Sequence, residues 1–418
     1  MRPVFRSLLA VAVASLAVAC RESSLVAPRI AQLPRALTAG EQQLVSANNR
    51  FAFAFFGALA ARAGPDSNLF VSPVSIAMAL GMTVNGASGT TRDSMLQALQ
   101  LSGLSMDEVN RGYRSVIDLL RGLDGGVEFT LANSIWARAG YSFGAAFLDD
   151  ARTYFDATVR TLDFAAPTAA QTINDWVNQQ TRGKIPEIVD SPIPDSVIMY
   201  LINAIYFKGS WTQQFDRALT RDAPFTLRGG GTVTAPMMSH SDPAPARYHA
   251  GDGVTVVDLP YGGRAWSMTI VLPQSAAAID SLVAGLTPER WAGWMAALDT
   301  GGVLVTMPKF TLRYDRELRD VLSTLGMGIA FNRDLADFTR LLPLGGAYIS
   351  KVKHKTFVDV YEEGTEAAAV TSVEISRVVC CSGGPPHVIV DRPFVVAIRE
   401  RFSGTILFLG RVMNPVAS

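Results

Sequence analysis

The sequence predicts a globular domain with a large hydrophobic core and, near its C-terminus, a segment patterned as a β-strand. Hydrophobic residues occupy 49% of the 418 positions, which is enough for a core that needs no disulfide support. The three cysteines are Cys20 and the adjacent pair Cys380 and Cys381, too few for a disulfide framework. After Gly364, small or apolar residues recur at every second position, which is the period of a strand with one buried face.

The first twenty residues predict an export signal. A basic start precedes an apolar run from Leu8 to Ala19 that is too short to span a membrane. The ending AVAC resembles a bacterial lipoprotein box, in which Cys20 is lipidated, and it also fits an Ala-x-Ala cleavage site. We therefore expect export, followed either by lipid anchoring at the bacterial cell envelope or by secretion, with residues 21–40 as a flexible tether.

The segment that follows Gly364 has the pattern of a long, half-buried strand. From Gly364 to Val378 it would extend roughly 46 Å at about 3.3 Å per residue, far beyond a typical strand. A short helix capped by Thr365 is the alternative that this stretch allows by itself. In a strand, one face would carry the following alternating residues: Thr365, Ala367, Ala369, Thr371, Val373 and Ile375.

Five segments resemble those of serpins and occur in the same order as in that family. They are NLFVSPVSIAMAL (68–80), LINAIYFKGSW (201–211), MPKF (307–310), EEGTEAAA (362–369) and FLGRVMNP (408–415). The resemblance implies an α+β serpin fold, with a large, mostly antiparallel central sheet, surrounding helices and further sheets. It also implies a single domain over residues 41–418, with an exposed reactive loop at about residues 362–390.

The resemblance assigns roles to particular residues, none of them catalytic. Trp211 would lie at the breach, the end of the central sheet where loop insertion begins, although it could equally be a core residue. Four polar residues would form the shutter beneath that sheet: Ser72, Ser75, Asn203 and His354. Without the resemblance to serpins, we would interpret Ser72 as a helix cap and His354 as a buried core histidine. The hinge of the reactive loop would consist of Gly364, Thr365, Glu366, Ala367, Ala368 and Ala369.

Counting as in inhibitory serpins places the bond to be cut between Val378 and Val379. Val378 would then enter the primary pocket of an elastase-like or subtilisin-like serine protease. If the count shifts by one residue, Arg377 enters the pocket and a trypsin-like protease becomes the target. Cys380 and Cys381 could stay free, bridge each other or link to another chain, and a bridge would make inhibition redox-sensitive.

Together with the export signal, the resemblance to inhibitory serpins implies an irreversible suicide-substrate inhibitor of extracytoplasmic serine proteases. The alternative is a non-inhibitory serpin that acts as a binding or chaperone-like module. We expect no enzyme, because the chain shows no phosphate loop, no nucleophile elbow and no zinc spacing among its four histidines. The 37 basic and 37 acidic residues balance, which argues against a nucleic-acid partner and a polyanion cofactor. We expect a monomer without cofactor or metal, and membrane contact only through a lipid on Cys20.

Overall fold

The computed structural model describes residues 28–365 and 384–417, which form α-helices and three β-sheets. The helices of these residues are α1 (Ala39–Ala60), α2 (Pro73–Val84), α3 (Gly89–Ala98), α4 (Met106–Leu120), α5 (Ala145–Phe155), α6 (Ala169–Gln180), α7 (Ile279–Ala284), α8 (Pro288–Ala296) and α9 (Arg319–Thr324).

The strands, in the same two ranges, are β1 (Leu69–Val71), β2 (Val127–Arg138), β3 (Thr158–Leu162), β4 (Met199–Ser210), β5 (Asp216–Thr226), β6 (Thr232–Ser239), β7 (Arg247–Gly251), β8 (Val254–Tyr261), β9 (Trp266–Pro273), β10 (Leu304–Pro308), β11 (Phe310–Glu317), β12 (Lys353–Tyr361), β13 (Gly364–Thr365), β14 (His387–Ile389), β15 (Phe394–Glu400) and β16 (Ile406–Val412).

Local sequence signals set the beginnings of the principal helices. Thr38 and Glu41 form a capping box at α1, in which each side chain accepts a hydrogen bond from the backbone N–H of the other. Ser105 and Glu108 do the same for α4. At α2 the Ser72 hydroxyl accepts from the backbone of Ser75, and Pro73 occupies the first turn, where its missing N–H is not needed.

The central sheet has the strand order β11-β12-β13-β4-β2-β3. Among the strands that the structure describes in this sheet, only β2 and β3 pair in parallel, so the sheet is mostly antiparallel, as the resemblance implies. Both β12 and β4 run antiparallel to the two-residue strand β13, and they are therefore parallel to each other. In the described part of the chain, no backbone pairing joins β4 to β12 directly. A slot consequently separates them beyond β13.

The other two sheets have the orders β1-β16-β15-β9-β8-β7 and β14-β10-β6-β5. Every residue of β9, β15 and β16 is buried, so these strands lie inside the main core. A smaller apolar cluster around Trp136 and Ile173 packs α6 against the central sheet. No helix of the described ranges is both long enough and apolar enough to cross a bilayer.

The predicted tether at residues 21–40 is corrected for the part that the structure describes. The backbone N–H of Ile30 donates to the carbonyl of Gly263 at 2.7 Å, and the Ile30 side chain packs against the main core. Arg35 forms an ion pair of 2.5 Å with Glu41, and α1 begins already at Ala39. These contacts hold residues from 28 onward on the domain. Residues 21–27 and the predicted signal lie outside the described residues.

Candidate functional site

The first two hinge residues already belong to the central sheet. Thr365 pairs with Val360 of β12 on one side and with Gly209 of β4 on the other, and Gly364 pairs with the residues next to them. Thr365 is 2% exposed, and its hydroxyl lies 2.5 Å from the Tyr261 hydroxyl. The hinge therefore begins as a buried strand at one end of the slot. The remaining hinge residues, Glu366, Ala367, Ala368 and Ala369, lie outside the described residues.

Glycine at position 364 permits the close approach of β13 to β4. A Cβ atom there would lie 2.1 Å from the carbonyl oxygen of Gly209 and 2.8 Å from the Cα of Ser210. Both distances are far below van der Waals contact, and the atoms in the way belong to the backbone. Any side chain at this position would push β13 out of its pairing with β4.

Trp211 lies at this end of the sheet, immediately after β4. Its ring stacks on Tyr261 at 4.4 Å between centroids, and its indole N–H donates to the carbonyl of Tyr361 at 2.9 Å. Its backbone N–H donates to the carbonyl of Glu363 at 2.9 Å. Trp211 therefore connects the end of β4 to the last residue of β12 and to the residue before β13. It is also buried in the main core, so it packs and bridges at once.

Two glutamates precede the hinge and are buried, which shortens the exposed loop predicted at residues 362–390. Glu362 accepts from the hydroxyl of Thr220 at 2.7 Å and forms an ion pair of 2.9 Å with Lys309. Glu363 forms an ion pair with Arg217. Burial alone would raise the pKa of Glu362, but the hydrogen bonds from Thr220 and Lys309 hold it below its ordinary value. Ion pairs with Lys309 and Arg217, both distant in sequence, thus hold residues 362 and 363 on the domain.

The predicted loop is also shorter at its other end. Residues 384–386 are exposed, but His387–Ile389 form β14, which pairs in parallel with β10. The predicted cut residues Val378 and Val379, the alternative Arg377 and the cysteine pair 380–381 all lie outside the described residues, as does Cys20.

Three of the four predicted shutter residues form one buried network. The Ser72 hydroxyl donates to the carbonyl of Leu407 at 2.7 Å and accepts from the backbone of Ser75. The His354 Nε2 accepts from the backbone N–H of Ser72 at 3.0 Å, which leaves the proton of the neutral ring on Nδ1. Burial lowers the pKa of His354 to about 4, although Asp315 opposes this shift. The histidine is therefore neutral near pH 7.

The fourth predicted shutter residue, Asn203, bonds elsewhere. Its amide donates to the Asn133 Oδ1 at 2.7 Å, and Asn133 donates to the carbonyl of Phe155 at 2.6 Å. The two asparagines face each other in the pairing of β2 with β4. The sequence alone does not distinguish Asn133, whose role depends on its position directly opposite Asn203 in the sheet. Asn203 thus ties β4 to β2 rather than to α2.

In the described residues, no group of three or more His, Cys, Asp or Glu side chains is placed to bind a metal ion. What the geometry offers is a slot between two parallel strands, a first pair of residues inserted at one end, and a buried polar network that reaches β12 at His354, near the other end.

The serpin family profile, described as serine protease inhibitor, matches residues 46–415. This chain belongs to the serpin family. It is 37% identical over 385 residues to the leukocyte elastase inhibitor of Bos taurus, covering 90% of this chain and 100% of the relative. Neuroserpin of Mus musculus is 34% identical, with 84% of this chain and 87% of that protein covered.

Solved serpin structures share the fold, which confirms the predicted fold class. The thermophilic serpin tengpin in its native state is 28% identical, with a TM-score of 0.80 and coverage of 93% of this chain and 97% of that one. Human thyroxine-binding globulin complexed with thyroxine is 31% identical, with a TM-score of 0.80 and coverage of 91% and 100%. Membership in this family of protease inhibitors supports protease inhibition as the general activity.

Proposed function

We propose that this serpin is an irreversible suicide-substrate inhibitor of extracytoplasmic serine proteases. The observation that carries the proposal is β13, which pairs Gly364 and Thr365 between β4 and β12 at the mouth of a slot. A strand that has begun to insert needs only a free end to continue, and cleavage of the loop provides that end. Each further residue then forms ladder hydrogen bonds to both neighbouring strands.

The bond changes in the proposed trap belong to the protease. Its serine oxygen attacks the carbonyl carbon of Val378, the bond to Val379 breaks, and the new amino group leaves with the proton that the protease histidine held. The ester between Val378 and the serine then moves with the loop. Because the pairing is antiparallel, each residue after Thr365 meets one residue earlier in β4 and β12. Continued insertion in this register brings Thr371 opposite Asn203 and His354, at the shutter.

The proposed targets follow from the residue that fills the protease pocket. Val378 fits a small apolar pocket, as in elastase-like or subtilisin-like enzymes, and relatives named leukocyte elastase inhibitor support this class. Arg377 would instead direct the protein to a trypsin-like enzyme. We further propose that the protein is exported, with Cys20 lipidated at the cell envelope or removed with the signal.

The deciding experiment mixes the purified chain separately with elastase, subtilisin and trypsin, followed by denaturing gels and mass spectrometry. A gel-stable complex with a cut after Val378 would support the mechanism and the elastase-like or subtilisin-like class. A cut after Arg377 in a trypsin complex would move the bond by one residue. Clean cleavage of the loop without any complex would contradict inhibition and favour the alternative of a non-inhibitory binding module.

The adjacent cysteines allow a separate test. If Cys380 and Cys381 form a bridge next to the cut bond, a mild reductant should change the rate of inhibition. The variant with both cysteines replaced by serine is the matched control and should not respond to the reductant. Equal rates for the original chain with and without reductant would exclude redox control.

A further inference from the structure

A cavity of about 540 Å³ lies at the end of the slot opposite β13. Its walls are the first residues of β4, the chain from Ala347 to His354 that leads into β12, one face of α2, and part of the segment that connects α6 to β4. Small-molecule sites in proteins have volumes of about 300–1,000 Å³. The cavity is therefore large enough for a ligand of that class.

The interior of this cavity is mainly apolar. Ile76, Ala79, Leu80 and Thr83 recur at helical spacing, so that one face of α2 forms a continuous wall. Ala79 is the one residue of α2 that is not buried, although its neighbours along the helix all are. Its exposure is explained by the cavity, because its methyl group belongs to that wall. Other elements add Ile198, Phe338 and Leu341.

Charged groups gather at the rim, and cations outnumber carboxylates there. The ammonium groups of Lys351 and Lys353 share the single carboxylate of Asp190, at 3.1 and 2.6 Å. Glu317 uses one carboxylate oxygen to accept from the backbone of Arg319 and Val352. The Arg319 guanidinium donates to a backbone carbonyl at 3.2 Å and lies over the Phe331 ring. Three cations thus face two carboxylates, and Lys351 is 51% exposed.

One polar atom of the lining has no hydrogen-bond partner. The Asn203 Oδ1 is buried without a donor, whereas its Nδ2 is bonded to Asn133. A buried acceptor without a donor is unfavourable unless a bound molecule supplies the missing hydrogen bond. Asn203 lies at the inner end of the cavity-lining part of β4, whereas the lysines lie at the rim.

We propose that this cavity binds an amphipathic carboxylic acid. The alkyl body lies against the wall formed by α2, and the carboxylate pairs with Lys351 and Lys353, which have donors to spare. A hydroxyl on the body can donate to the Asn203 Oδ1. The ligand would lie between the beginnings of β4 and β12, across the path of an inserting loop.

This position gives the ligand a regulatory effect, which rests on the proposed function. A molecule held between β4 and β12 delays the last part of insertion, so that the protease more often completes hydrolysis and escapes. Binding itself needs no protease and no cleavage. The two statements can therefore be tested separately.

The test titrates the full chain with decanoate, and with 1-decanol as the neutral comparison, by isothermal titration calorimetry. We expect one decanoate per chain, weaker binding of 1-decanol, and loss of binding in Ala79→Trp, whose indole would cover the α2 wall against which the alkyl body lies. The double variant Lys351→Met/Lys353→Met should bind decanoate about tenfold more weakly, since each exposed charge pair contributes modestly. Lys355→Met is the matched control, because Lys355 lies on β12 outside the cavity and pairs with Asp315 at 2.8 Å.

Several results would overturn the proposal. They are no saturable binding, several decanoates per chain, or equal affinity in the double lysine variant and the Lys355→Met control. If Ala79→Trp does not fold, the exposed lysines still provide this comparison. In a second experiment, decanoate should raise the number of inhibitor molecules consumed per protease for the original chain. It should leave this number unchanged for Ala79→Trp. Binding without any covalent complex would leave the site standing and refute the proposed function. A covalent complex without decanoate binding would refute the proposed site and leave the proposed function standing.

Discussion

Replacing Thr365 with arginine should convert the protein from an inhibitor into a substrate. Thr365 is 2% exposed and contacts the buried Tyr261 hydroxyl, so the guanidinium would enter a site that water does not reach. A buried charge without a partner is destabilising by several kcal/mol, whereas each ladder hydrogen bond of β13 contributes about 1 kcal/mol net. The charge therefore outweighs the pairing of a two-residue strand. Residue 365 should leave the sheet, and insertion would have to start from an expelled hinge.

The assay measures how many inhibitor molecules are consumed per protease inactivated, together with the covalent complex on a denaturing gel. Thr365→Arg should be cut at the same bond as the original chain without accumulating complex. Thr365→Val is the matched control, because it keeps the size and the strand preference of threonine. It loses one hydrogen bond, worth about 1 kcal/mol, and should remain an inhibitor. An arginine variant with unchanged stoichiometry, or a valine variant that fails equally, would refute the reasoning.

Four further changes test other parts of the site. Glu362→Gln should lower the free energy of unfolding by about 1–3 kcal/mol, because it removes the ion pair with Lys309 in a buried setting; an unchanged urea midpoint would contradict this. Acid should destabilise the native state as the pH falls from 6.5 towards 4. In this range His354 binds a proton in the unfolded state but stays neutral in the folded state, where its pKa is about 4. The slope should include about 1.4 kcal/mol per pH unit from this residue and should be smaller by that amount in His354→Gln, where the buried His240, whose pKa burial also lowers to about 4, still contributes. Urea unfolding at several pH values measures both slopes. Asp190→Asn removes the two ion pairs that fasten the segment before β4 to the strand across the slot, and it should speed insertion after cleavage by up to about fivefold. Added salt should speed insertion in the original chain but not in this variant, and equal salt dependence in both would count against the idea. Finally, cleavage of the loop should raise the thermal midpoint sharply if insertion relaxes a strained sheet, whereas an unmoved midpoint would indicate a non-inhibitory serpin.

The sequence predicts the part of the site that depends on local pattern. The alternation after Gly364 predicts a strand with Thr365 on its buried face, and the structure buries Thr365 in β13. Ser72 before Pro73 predicts a helix cap, and Ser72 caps α2. The ordered serpin segments predict the family and its sheet. In each case the informative residues are neighbours along the chain, so backbone geometry alone brings them together.

Tertiary structure decided the contacts between distant residues. Arg217 pairs with Glu363 across 146 residues of sequence, and Lys309 with Glu362 across 53, which is why the segment before the hinge is buried rather than exposed. Asn203 bonds to Asn133, although the family resemblance grouped it with Ser72, Ser75 and His354. Ile30 packs on the domain although its segment reads as a tether.

The sequence by itself thus determined the family, the buried position of Thr365 and the Ser72 cap of α2, because these follow from motifs, from periodicity and from residues within one turn of each other. Only the tertiary structure decided which charges pair across the slot, that Glu362 and Glu363 are buried before the hinge, and that a cavity remains beside α2. Those features depend on the distance between elements that are far apart in the chain. The sequence does not identify which distant side chains will pair, because folding sets the distance between them.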